Sequence, residues 1–341
     1  MTIRVVQWTT GGVAKAAVRG VLAHPDLELV GCYAWSAEKA GQDVGTLCNL
    51  PPLGITATAE VDEIVALHPD VVLYMPLLWS VDDMVRLLEA GINVVSTANF
   101  ITGRSYGEGE MERLDAAAKR GGASLYGTGI NPGLVGALAL TAAGACREVE
   151  RITIHEAADC TPYESAETWT ALGFGSPPDT PGLADAAKER QLVFQDAVEV
   201  VAKALHMELD EVRYAPRFGV ATRDLDLGYM QIAKGTVCGI NGRWQGIVAG
   251  EPVIEFGLLW RLGNAMDPDW EIVEGHVVEV RGVPNVRLRF QFEYPSDFDD
   301  FGAHTANPAV NAIPAVVAAP PGLVTADELP LVTAGSVRTP R

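Results

Sequence analysis

The sequence predicts an α/β protein of two domains, a doubly wound parallel sheet followed by an α+β domain with a mainly antiparallel sheet. Three observations lead to this prediction. Short apolar runs alternate with helical patterns through the first half, closely spaced alternating strands follow from about residue 149, and 341 residues fit two cores better than one. We place the first domain at 1–148, the second at 149–300, and a C-terminal segment that packs back on the first domain at 301–341.

The first domain is predicted from two alternating sequence periods. Unbroken apolar runs, as expected for strands buried on both faces, lie at residues 3–8, 27–35, 70–75, 92–97 and 123–127. Helical patterns lie between them at 13–24, 61–68, 81–91 and 109–122, and the last two end in glycine. Regular strand–helix alternation implies a parallel sheet with right-handed crossovers, which is the Rossmann-type, nucleotide-binding architecture.

The second domain is predicted from alternating strands joined by turns. "VERITIHEA" (149–157) predicts a strand with one solvent-exposed face, and a long helical pattern follows at 183–205. Five further strand-like runs come close together between residues 212 and 294, and "NG" at 241–242 is a hairpin signal. The segment "TANPAVNAIPAVVAAPPG" (305–322) is apolar and helix-like between its prolines.

Composition narrows the function classes. A formal net charge of −19 would repel nucleic acid and anionic membrane surfaces, so neither is an expected partner. The longest apolar runs are about half of the ~20 residues of a membrane span. Five cysteines without CxxC spacing are expected to be reduced, and we expect no metal site. Met1 leads at once into a strand-like run, so a cytoplasmic protein is expected.

The stretch "QWTTGGVAKAA" (7–17) joins the first strand to the first helix, where dinucleotide-binding proteins carry G-x-G-x-x-G. Aligned on Gly11, the glycine slots hold Thr9, Gly11 and Ala14. Gly11 lets the backbone approach a pyrophosphate, and the helix start offers free N–H groups. Because a β-branched Thr9 does not easily adopt positive φ, either φ is negative there or Gly12 takes part of the bend. The predicted pyrophosphate contacts are Thr9, Thr10, Gly11, Gly12 and Val13.

The end of the second strand predicts which nicotinamide cofactor binds. NAD-specific sites usually carry an acid there for the ribose 2′-OH, whereas this strand ends "YAWSAEK", with Trp35 and Ser36 at that place. Ser36 can donate a hydrogen bond to a 2′-phosphate, and Lys39 can supply a positive charge. We therefore predict NADP(H), with NAD(H) as an alternative.

Several segments resemble one enzyme group. "RVVQWTTGGVAKAAVRGVLAHPDLELVGCYAWSAEKAGQDVG", "NVVSTAN", "GTGINPG" and "HTANPAVNAIPAVVAAPPG" resemble the dihydrodipicolinate-reductase-like proteins, and within them the 2,4-diaminopentanoate dehydrogenases and native amine dehydrogenases. The resemblance covers nearly the whole chain. It implies NAD(P)H-dependent reductive amination of ketones or aldehydes, or the reverse oxidative deamination, by homodimers without a metal.

The group's catalytic glutamate is missing at its expected place. In the group it follows the strand that here reads "VVSTANF", and alignment on Thr97, itself a predicted cofactor contact, places Asn99 or Phe100 there. Asn99 cannot accept a proton at neutral pH, although its amide can orient a nitrogen or oxygen by hydrogen bonds. Glu108, at a helix start where acids are common, and His276, in "EGHVVEV", are the other acid–base candidates.

The resemblance also places residues around the cofactor and substrate. "GTGINPG" resembles the turn beside the nicotinamide, with Asn131 as a cap and Pro132 in the first helical turn. "MPLLW" (75–79) resembles the loop over the ribose and pyrophosphate, shaped by Pro76. "IHEAADCTPYESAETWTALGFG" resembles the substrate segment, in which Glu156 and Asp159 are further polar residues. The predicted substrate contacts are His155, Tyr163, Trp169 and, from the C-terminal helix, Asn311.

The sequence thus predicts an NADP(H)-dependent oxidoreductase of the amine dehydrogenase type, acting on a small, fairly apolar carbonyl, imine or amine. One alternative is a reductase of a cyclic imine, enamine or carbonyl, of the dihydrodipicolinate reductase kind. The sequence shows neither the His-His pair nor the lysine-rich dicarboxylate site of that enzyme. The other alternative is a dinucleotide-binding protein without catalytic activity.

Overall fold

The computed structural model describes residues 2–294, 298, 300 and 302–335. The chain divides into two compact units, one containing the residues up to Leu134 and those from Tyr294 onward, the other Val135–Glu293. The sequence-based boundaries were 148 and 300, so the helix at 135–143 is grouped with the second unit rather than the first. Among the described residues, none of the helices is both long and apolar enough to cross a lipid bilayer.

The first unit alternates strands and helices as predicted. In chain order its elements are β1 (Ile3–Trp8), α1 (Gly12–Ala23), β2 (Leu27–Tyr33), α2 (Val44–Leu47), β3 (Ala57–Thr58), α3 (Val61–Ala66), β4 (Val71–Tyr74), α4 (Val81–Glu89), β5 (Asn93–Ser96), a 3₁₀ turn (Arg104–Tyr106), α5 (Glu108–Gly121), β6 (Ser124–Gly127) and a π turn (Ile130–Leu134). After the second unit, the chain adds α10 (Ala303–Val317) and β17 (Gly322–Val324) to this unit.

The strands of this unit form a parallel sheet in the order β17-β6-β5-β4-β1-β2-β3. This order confirms the predicted doubly wound fold, since the chain moves outward from β1 to β3 and then returns to place β4 on the other side of β1. The strands β3 and β17 were not predicted, because two or three residues are too few to show a period.

The C-terminal helix α10 belongs to the same unit. It contacts α1, and residues of both helices lie in one buried apolar cluster. Gly20 of α1 permits this approach, because a Cβ there would lie 3.2 Å from Val310 of α10. The sequence pattern suggested a helix between the prolines. In the structure, Pro308 and Pro314 both lie inside α10.

The second unit contains a helical layer and a larger sheet. Its elements are α6 (Val135–Ala143), β7 (Glu148–Asp159), α7 (Ala166–Ala171), α8 (Leu183–Arg190), α9 (Val193–Ala204), β8 (Glu211–Tyr214), β9 (Arg217–Ala221), β10 (Leu225–Asp226), β11 (Gln231–Ile232), β12 (Val237–Val248), β13 (Glu251–Arg261), β14 (Met266–Asp267), β15 (Gly275–Val283) and β16 (Val286–Phe290). The main sheet runs β14-β9-β12-β13-β7-β15-β16, with β8 also on β12. It is mainly antiparallel as predicted, and the pair β13–β7 is parallel.

Two sequence predictions in this unit were wrong. "NG" at 241–242 is not a turn: both residues lie within β12 and pair with Leu259 and Leu258 of β13. The turn is at Ala249 and Gly250, where φ is 52° and 82°, because the long apolar alternation of β12 continues through the turn-like dipeptide. The predicted helix at 183–205 is two helices, α8 and α9, separated at Gln191–Leu192.

Candidate functional site

The carboxyl edge of the parallel sheet collects the residues predicted to bind a cofactor. Strand order reverses between β1 and β4, and open α/β sheets bind ligands at such a switch point. The loops after β1, β2, β4, β5 and β6 all begin at this edge. They carry, in that order, Thr9 to Gly11, Ser36 and Lys39, Pro76, Thr97, and Asn131 with Pro132.

Thr9 has a left-handed backbone, with φ at 77°. The expectation that this turn avoids positive φ at Thr9 was therefore wrong. Tertiary hydrogen bonds hold the conformation: the Thr9 hydroxyl donates to the Met75 carbonyl at 3.0 Å, and the Thr9 amide donates to the Tyr33 carbonyl at 2.8 Å. Thr9 thus links the ends of β1, β2 and β4 by hydrogen bonds.

Thr10, Gly11 and Gly12 form an open start to α1. Thr10 is 3% exposed, and its hydroxyl has no hydrogen-bond partner among the described residues. Gly11 is the N-cap and supplies no side chain to the first N–H groups of the helix, while a Cβ at either glycine would meet no atom within 4 Å. The Thr10 hydroxyl and the first N–H groups of α1 could therefore donate hydrogen bonds to a phosphate oxygen. The open space beside the glycines would accommodate it.

The turn after β2 contains the two residues predicted to contact a 2′-phosphate. The Ser36 carbonyl accepts hydrogen bonds from the amides of Lys39 and Ala40, each at 2.9 Å, so Ser36 and Lys39 lie in one tight turn. Lys39 is exposed, and the preceding Trp35 is 75% exposed. Between them lies one exposed carboxylate, that of Glu38.

The loops after β4 and β5 are joined by aromatic packing. Trp79 stacks on Tyr106 with ring centroids 4.6 Å apart, and the Tyr106 hydroxyl donates to the Ala98 carbonyl. Pro76 is the second residue of the first of these loops. This packing supports Asn99, which is exposed and has a left-handed backbone with φ at 51°. The loop thus presents an amide, not a carboxylate, to solvent.

The other candidates of this unit lie at helix starts or turns. Glu108 is the first residue of α5 and is exposed, which matches the ordinary place of an acid at a helix start. Thr97 follows β5, and its amide donates to the Tyr74 carbonyl at 3.2 Å. Asn131 has an extended backbone in the turn after β6, followed by the buried Pro132. Asn311 is a half-buried residue of α10, which contacts this turn.

In the second unit, His155 belongs to an ion network on β7. Its Nε2 lies 3.6 Å from Oε1 of Glu255, whose other oxygen accepts from Gln245 at 2.5 Å and lies 3.7 Å from Arg151. Burial lowers the pKa of His155, and the nearby Glu255 only partly offsets this. The ring lies against Gly257, where a Cβ would be 2.4 Å from Nδ1. The His155 side chain is thus engaged with Glu255 and remains 40% exposed.

Glu156, the next residue of β7, has side-chain partners on the two neighbouring strands. Its Oε1 accepts from the Trp260 indole at 2.7 Å, and its Oε2 lies 3.2 Å from Nε2 of His276. His276 lies directly opposite Glu156 in the β7–β15 ladder and is 7% exposed. Sequence reasoning noted Glu156 only as one polar strand residue, because pairing across 120 residues leaves no local signal.

Trp260 belongs to a cluster of aromatic side chains around Trp169. Trp169 is 4% exposed, and its ring centroid lies 6.4 Å from that of Trp260, 5.7 Å from that of Tyr163 and 5.3 Å from that of Phe174. Tyr163 is 60% exposed. The structure therefore brings the predicted residues Tyr163 and Trp169 into one cluster and adds Trp260 to it.

The fold and the open carboxyl edge define a Rossmann-type protein with a separate α+β unit, and comparison with known proteins identifies its family. The chain belongs to the family described as the 2,4-diaminopentanoate dehydrogenase C-terminal domain, whose model matches residues 134–339.

Similar proteins agree with this assignment along the chain. An amine dehydrogenase of Streptomyces virginiae is 29% identical and covers 96% of each chain. The 2,4-diaminopentanoate dehydrogenase of Acetoanaerobium sticklandii is 28% identical over 73% of this chain and 70% of its own. The solved structure of an amine dehydrogenase from Mycobacterium smegmatis has a TM-score of 0.78 at 24% identity, covering 98% of this chain and 97% of its own, which shows a shared fold.

Proposed function

We propose that the protein is an NAD(P)-dependent oxidoreductase of the amine dehydrogenase type, which interconverts a small amine with a ketone or aldehyde. The family match over residues 134–339 carries the proposal. The relatives named for amine and 2,4-diaminopentanoate oxidation support it. The open carboxyl edge of the parallel sheet also supports the proposal, because it has the features of a dinucleotide site.

The residues of that edge fit a nicotinamide dinucleotide phosphate. A bound nicotinamide would supply or accept the hydride, while the protein binds and orients. The Thr10 hydroxyl and the N–H groups at Gly12 and Val13 would hold the pyrophosphate, because they are unsatisfied or open at the start of α1. Ser36 and Lys39 would hold the 2′-phosphate, which makes NADP(H) the proposed cofactor.

On the substrate side we propose roles for the cluster of aromatic residues. In the second unit, Tyr163 and Trp169 would contact the apolar part of a bound ligand. In the first unit, Asn99 and Asn311 would offer amide groups for hydrogen bonds. His155, which we predicted as a substrate contact, is engaged with Glu255, so we propose a structural role for it instead.

We further propose a homodimer in the cytoplasm. The group that the sequence resembles consists of homodimers. All five cysteines are free thiols, which fits a reducing compartment. Light scattering after size-exclusion chromatography measures the assembly, and a monomer at working concentration would contradict this part of the proposal.

The decisive assay follows NADPH oxidation with a panel of ketones and aldehydes, with and without concentrated ammonium or methylamine. We expect turnover that depends on the amine, with NADP⁺ reduction by the corresponding amines in the reverse direction. Carbonyl reduction that ignores the amine would indicate a carbonyl reductase instead, and no turnover with any substrate of the panel would contradict the proposal.

Cofactor placement is tested by a matched pair of charge substitutions. Gly11→Asp places a carboxylate at the start of α1, where a phosphate would bind, and Gly109→Asp does the same near the start of α5. A Cβ meets no atom within 4 Å at either position, so both variants should fold. Gly11→Asp should abolish NADPH fluorescence enhancement and Gly109→Asp should leave it unchanged. Equal binding by all three proteins would refute the assigned site.

A further inference from the structure

One lysine near the start of α1 has no acidic partner. The Lys15 amide donates to the Gly11 carbonyl at 2.9 Å, so Lys15 lies one turn after the glycine that caps the helix. Lys15 is half-buried, and within the part of the chain that the structure describes it forms no ion pair. This is notable in a chain with 44 acidic residues against 25 Lys and Arg. A half-buried ammonium group that no described carboxylate contacts is available to an anionic ligand.

Lys15 lies on the face of α1 that contacts the loop between β2 and β3. Arg19 follows it by one turn and therefore lies on the same face of the helix. The Arg19 guanidinium donates to the Cys48 carbonyl at 3.3 Å and lies 3.3 Å from the Asp300 carboxylate. Cys48 is the C-cap of α2, within the loop between β2 and β3. Lys15 thus faces the same loop from a position one turn closer to the start of α1.

Lys39 approaches Cys48 from the turn after β2. Burial raises the pKa of the Cys48 thiol, and the positive charges of Lys15, Arg19 and Lys39 oppose this rise. Burial also raises the pKa of Cys32, near the end of β2, to about 12, and Lys39 opposes that rise as well. Like Lys15, Lys39 forms no ion pair with any described residue. Two lysines from separate elements therefore act on the same buried thiol, and neither has a carboxylate partner.

Three described carboxylates lie in the same part of the unit, and two of them are engaged. Asp300 is paired with Arg19. Asp43 accepts hydrogen bonds from three backbone amides of its own loop. Glu38 is exposed in the turn just before Lys39. Because the acids equal the cations in number, an anion is held here by direct contact with the two lysine ammonium groups rather than by a general positive field.

The positions of the two lysines fit the adenosine end of a dinucleotide phosphate. In a doubly wound sheet the pyrophosphate lies at the start of the first helix, and the adenosine ribose lies at the end of the second strand. Lys15 is one turn into that helix, and Lys39 is in the turn after that strand. A phosphate monoester carries nearly two negative charges and three strong acceptor oxygens at neutral pH, so a single ammonium group leaves part of both unmatched.

We propose that Lys15 is a second ligand of the cofactor 2′-phosphate, so that the preference for NADP(H) depends on two ammonium groups, one from α1 and one from the turn after β2. Lys15 and Lys39 bind the phosphate from different elements, whereas Ser36 adds a neutral hydrogen bond. This inference rests on the proposed function, and it names a residue of α1 that sets the cofactor preference of the same site.

The test compares Lys15→Met with Lys188→Met. Methionine keeps an apolar stem and removes the ammonium group. Lys188 is an exposed lysine of α8 that forms no ion pair with a described residue, so its variant makes the same change in net charge. Binding of NADPH and of NADH is measured by nicotinamide fluorescence without substrate. Lys15→Met should weaken NADPH binding by ~10-fold or more, as for loss of a charged hydrogen-bond partner, and leave NADH binding nearly unchanged. Lys188→Met should change neither.

The double variant Lys15→Met/Lys39→Ala tests whether the two lysines share one phosphate. It should bind NADPH no more tightly than NADH, because neither ammonium group remains. The loss of NADPH affinity in the double variant should also differ from the sum of the two single losses, since ligands of one group are coupled. Additive losses would show that the two lysines bind different groups and would contradict the proposal.

Two nucleotides separate the 2′-phosphate from the rest of the cofactor. Adenosine 2′,5′-bisphosphate and AMP are each titrated against NADPH bound to the wild type, to Lys15→Met and to Lys188→Met. The bisphosphate should compete more strongly than AMP with the wild type and with Lys188→Met, and Lys15→Met should lose ~10-fold or more of this advantage. Inorganic phosphate is the third competitor. If it displaced NADPH at the same concentrations as the bisphosphate, the lysines would form a general anion site and the assignment would be wrong.

The outcomes distinguish this inference from the proposed function. If the wild type binds NADPH and Lys15→Met does so equally well, the role of Lys15 is refuted and the function stands. Equal losses of NADPH and NADH in Lys15→Met would place its ammonium group on the pyrophosphate and also refute the assignment. If the wild type binds neither cofactor at ~1 mM, the upper end of usual KM values, the proposed function itself fails. If Lys15→Met does not fold, Lys15→Arg and Lys15→Gln decide, because the same cofactor preference with and without the charge would contradict the proposal.

Discussion

Replacing Thr9 tests the most unusual backbone feature of the cofactor edge. Thr9 combines a left-handed φ of 77° with a hydroxyl that donates to the Met75 carbonyl at 3.0 Å. A β-branched residue in this conformation is strained, and the hydrogen bond offsets the strain. Thr9→Gly removes both the strain and the bond, whereas Thr9→Val keeps the β-branching and removes only the bond.

The two effects have comparable magnitudes, so their difference is measurable. The left-handed conformation costs ~1–2 kcal/mol for a residue with a Cβ, and a buried hydrogen bond contributes ~0.5–1.5 kcal/mol. In Thr9→Gly the relief of strain offsets the lost bond and the ~0.5–1 kcal/mol entropic disadvantage of glycine, so its stability should lie within ~1 kcal/mol of the wild type. Thr9→Val should lose ~1–2 kcal/mol, because nothing compensates for the missing bond.

The assay is urea unfolding followed by tryptophan fluorescence. Trp8 precedes the mutated residue and stacks on Tyr33 with ring centroids 3.9 Å apart, so its emission reports on this edge of the sheet. The expected order of unfolding free energy places Thr9→Gly above Thr9→Val. If Thr9→Val were as stable as Thr9→Gly, residue 9 would not have a left-handed backbone, and the reasoning about this turn would be refuted.

Three further predictions concern the cofactor edge and its neighbouring loops. Lys39→Ala should weaken NADPH binding by up to ~2 kcal/mol and leave NADH binding nearly unchanged, as measured by fluorescence titration, because only NADPH carries the 2′-phosphate; equal losses would argue against the 2′-phosphate contact. Asn99→Glu should raise amine oxidation relative to carbonyl reduction, because it places a carboxylate where the family resemblance expects one, and an unchanged ratio of the two rates would count against that alignment. Gly127→Ala should lower the melting temperature strongly, because the new Cβ would lie 1.9 Å from the Phe100 carbonyl oxygen, a backbone contact that no side-chain rotation can relieve. A wild-type melting temperature would show that β6 and the loop after β5 do not approach each other so closely.

Much of the first unit follows from local sequence rules. The five strands predicted there all form, and β1 has the predicted bounds Ile3–Trp8. Unbroken apolar runs between helical patterns predict a parallel sheet. In such a sheet the loops that follow the strands all lie at the carboxyl edge. The loop at Thr9 to Val13 and the turn with Ser36 and Lys39 were therefore placed correctly relative to the strands, although nothing local showed the backbone of Thr9.

The second unit was harder to predict because its strand register depends on long-range pairing. "NG" at 241–242 has the composition of a hairpin turn, yet β12 extends through it because pairing with β13 outweighs the local preference of two residues. The short helices α8 and α9 likewise share one continuous helical pattern in the sequence.

The sequence by itself determined the doubly wound sheet, the open start of α1, the lack of an acid at the end of β2 and the amide at Asn99. These features depend on residues close together in the chain. Only the tertiary structure decided that Thr9 is left-handed, because its hydroxyl partner Met75 is 66 residues away. It also decided that Glu156 lies between Trp260 and His276, because a one-residue shift of either strand would turn these side chains to the opposite face of the sheet.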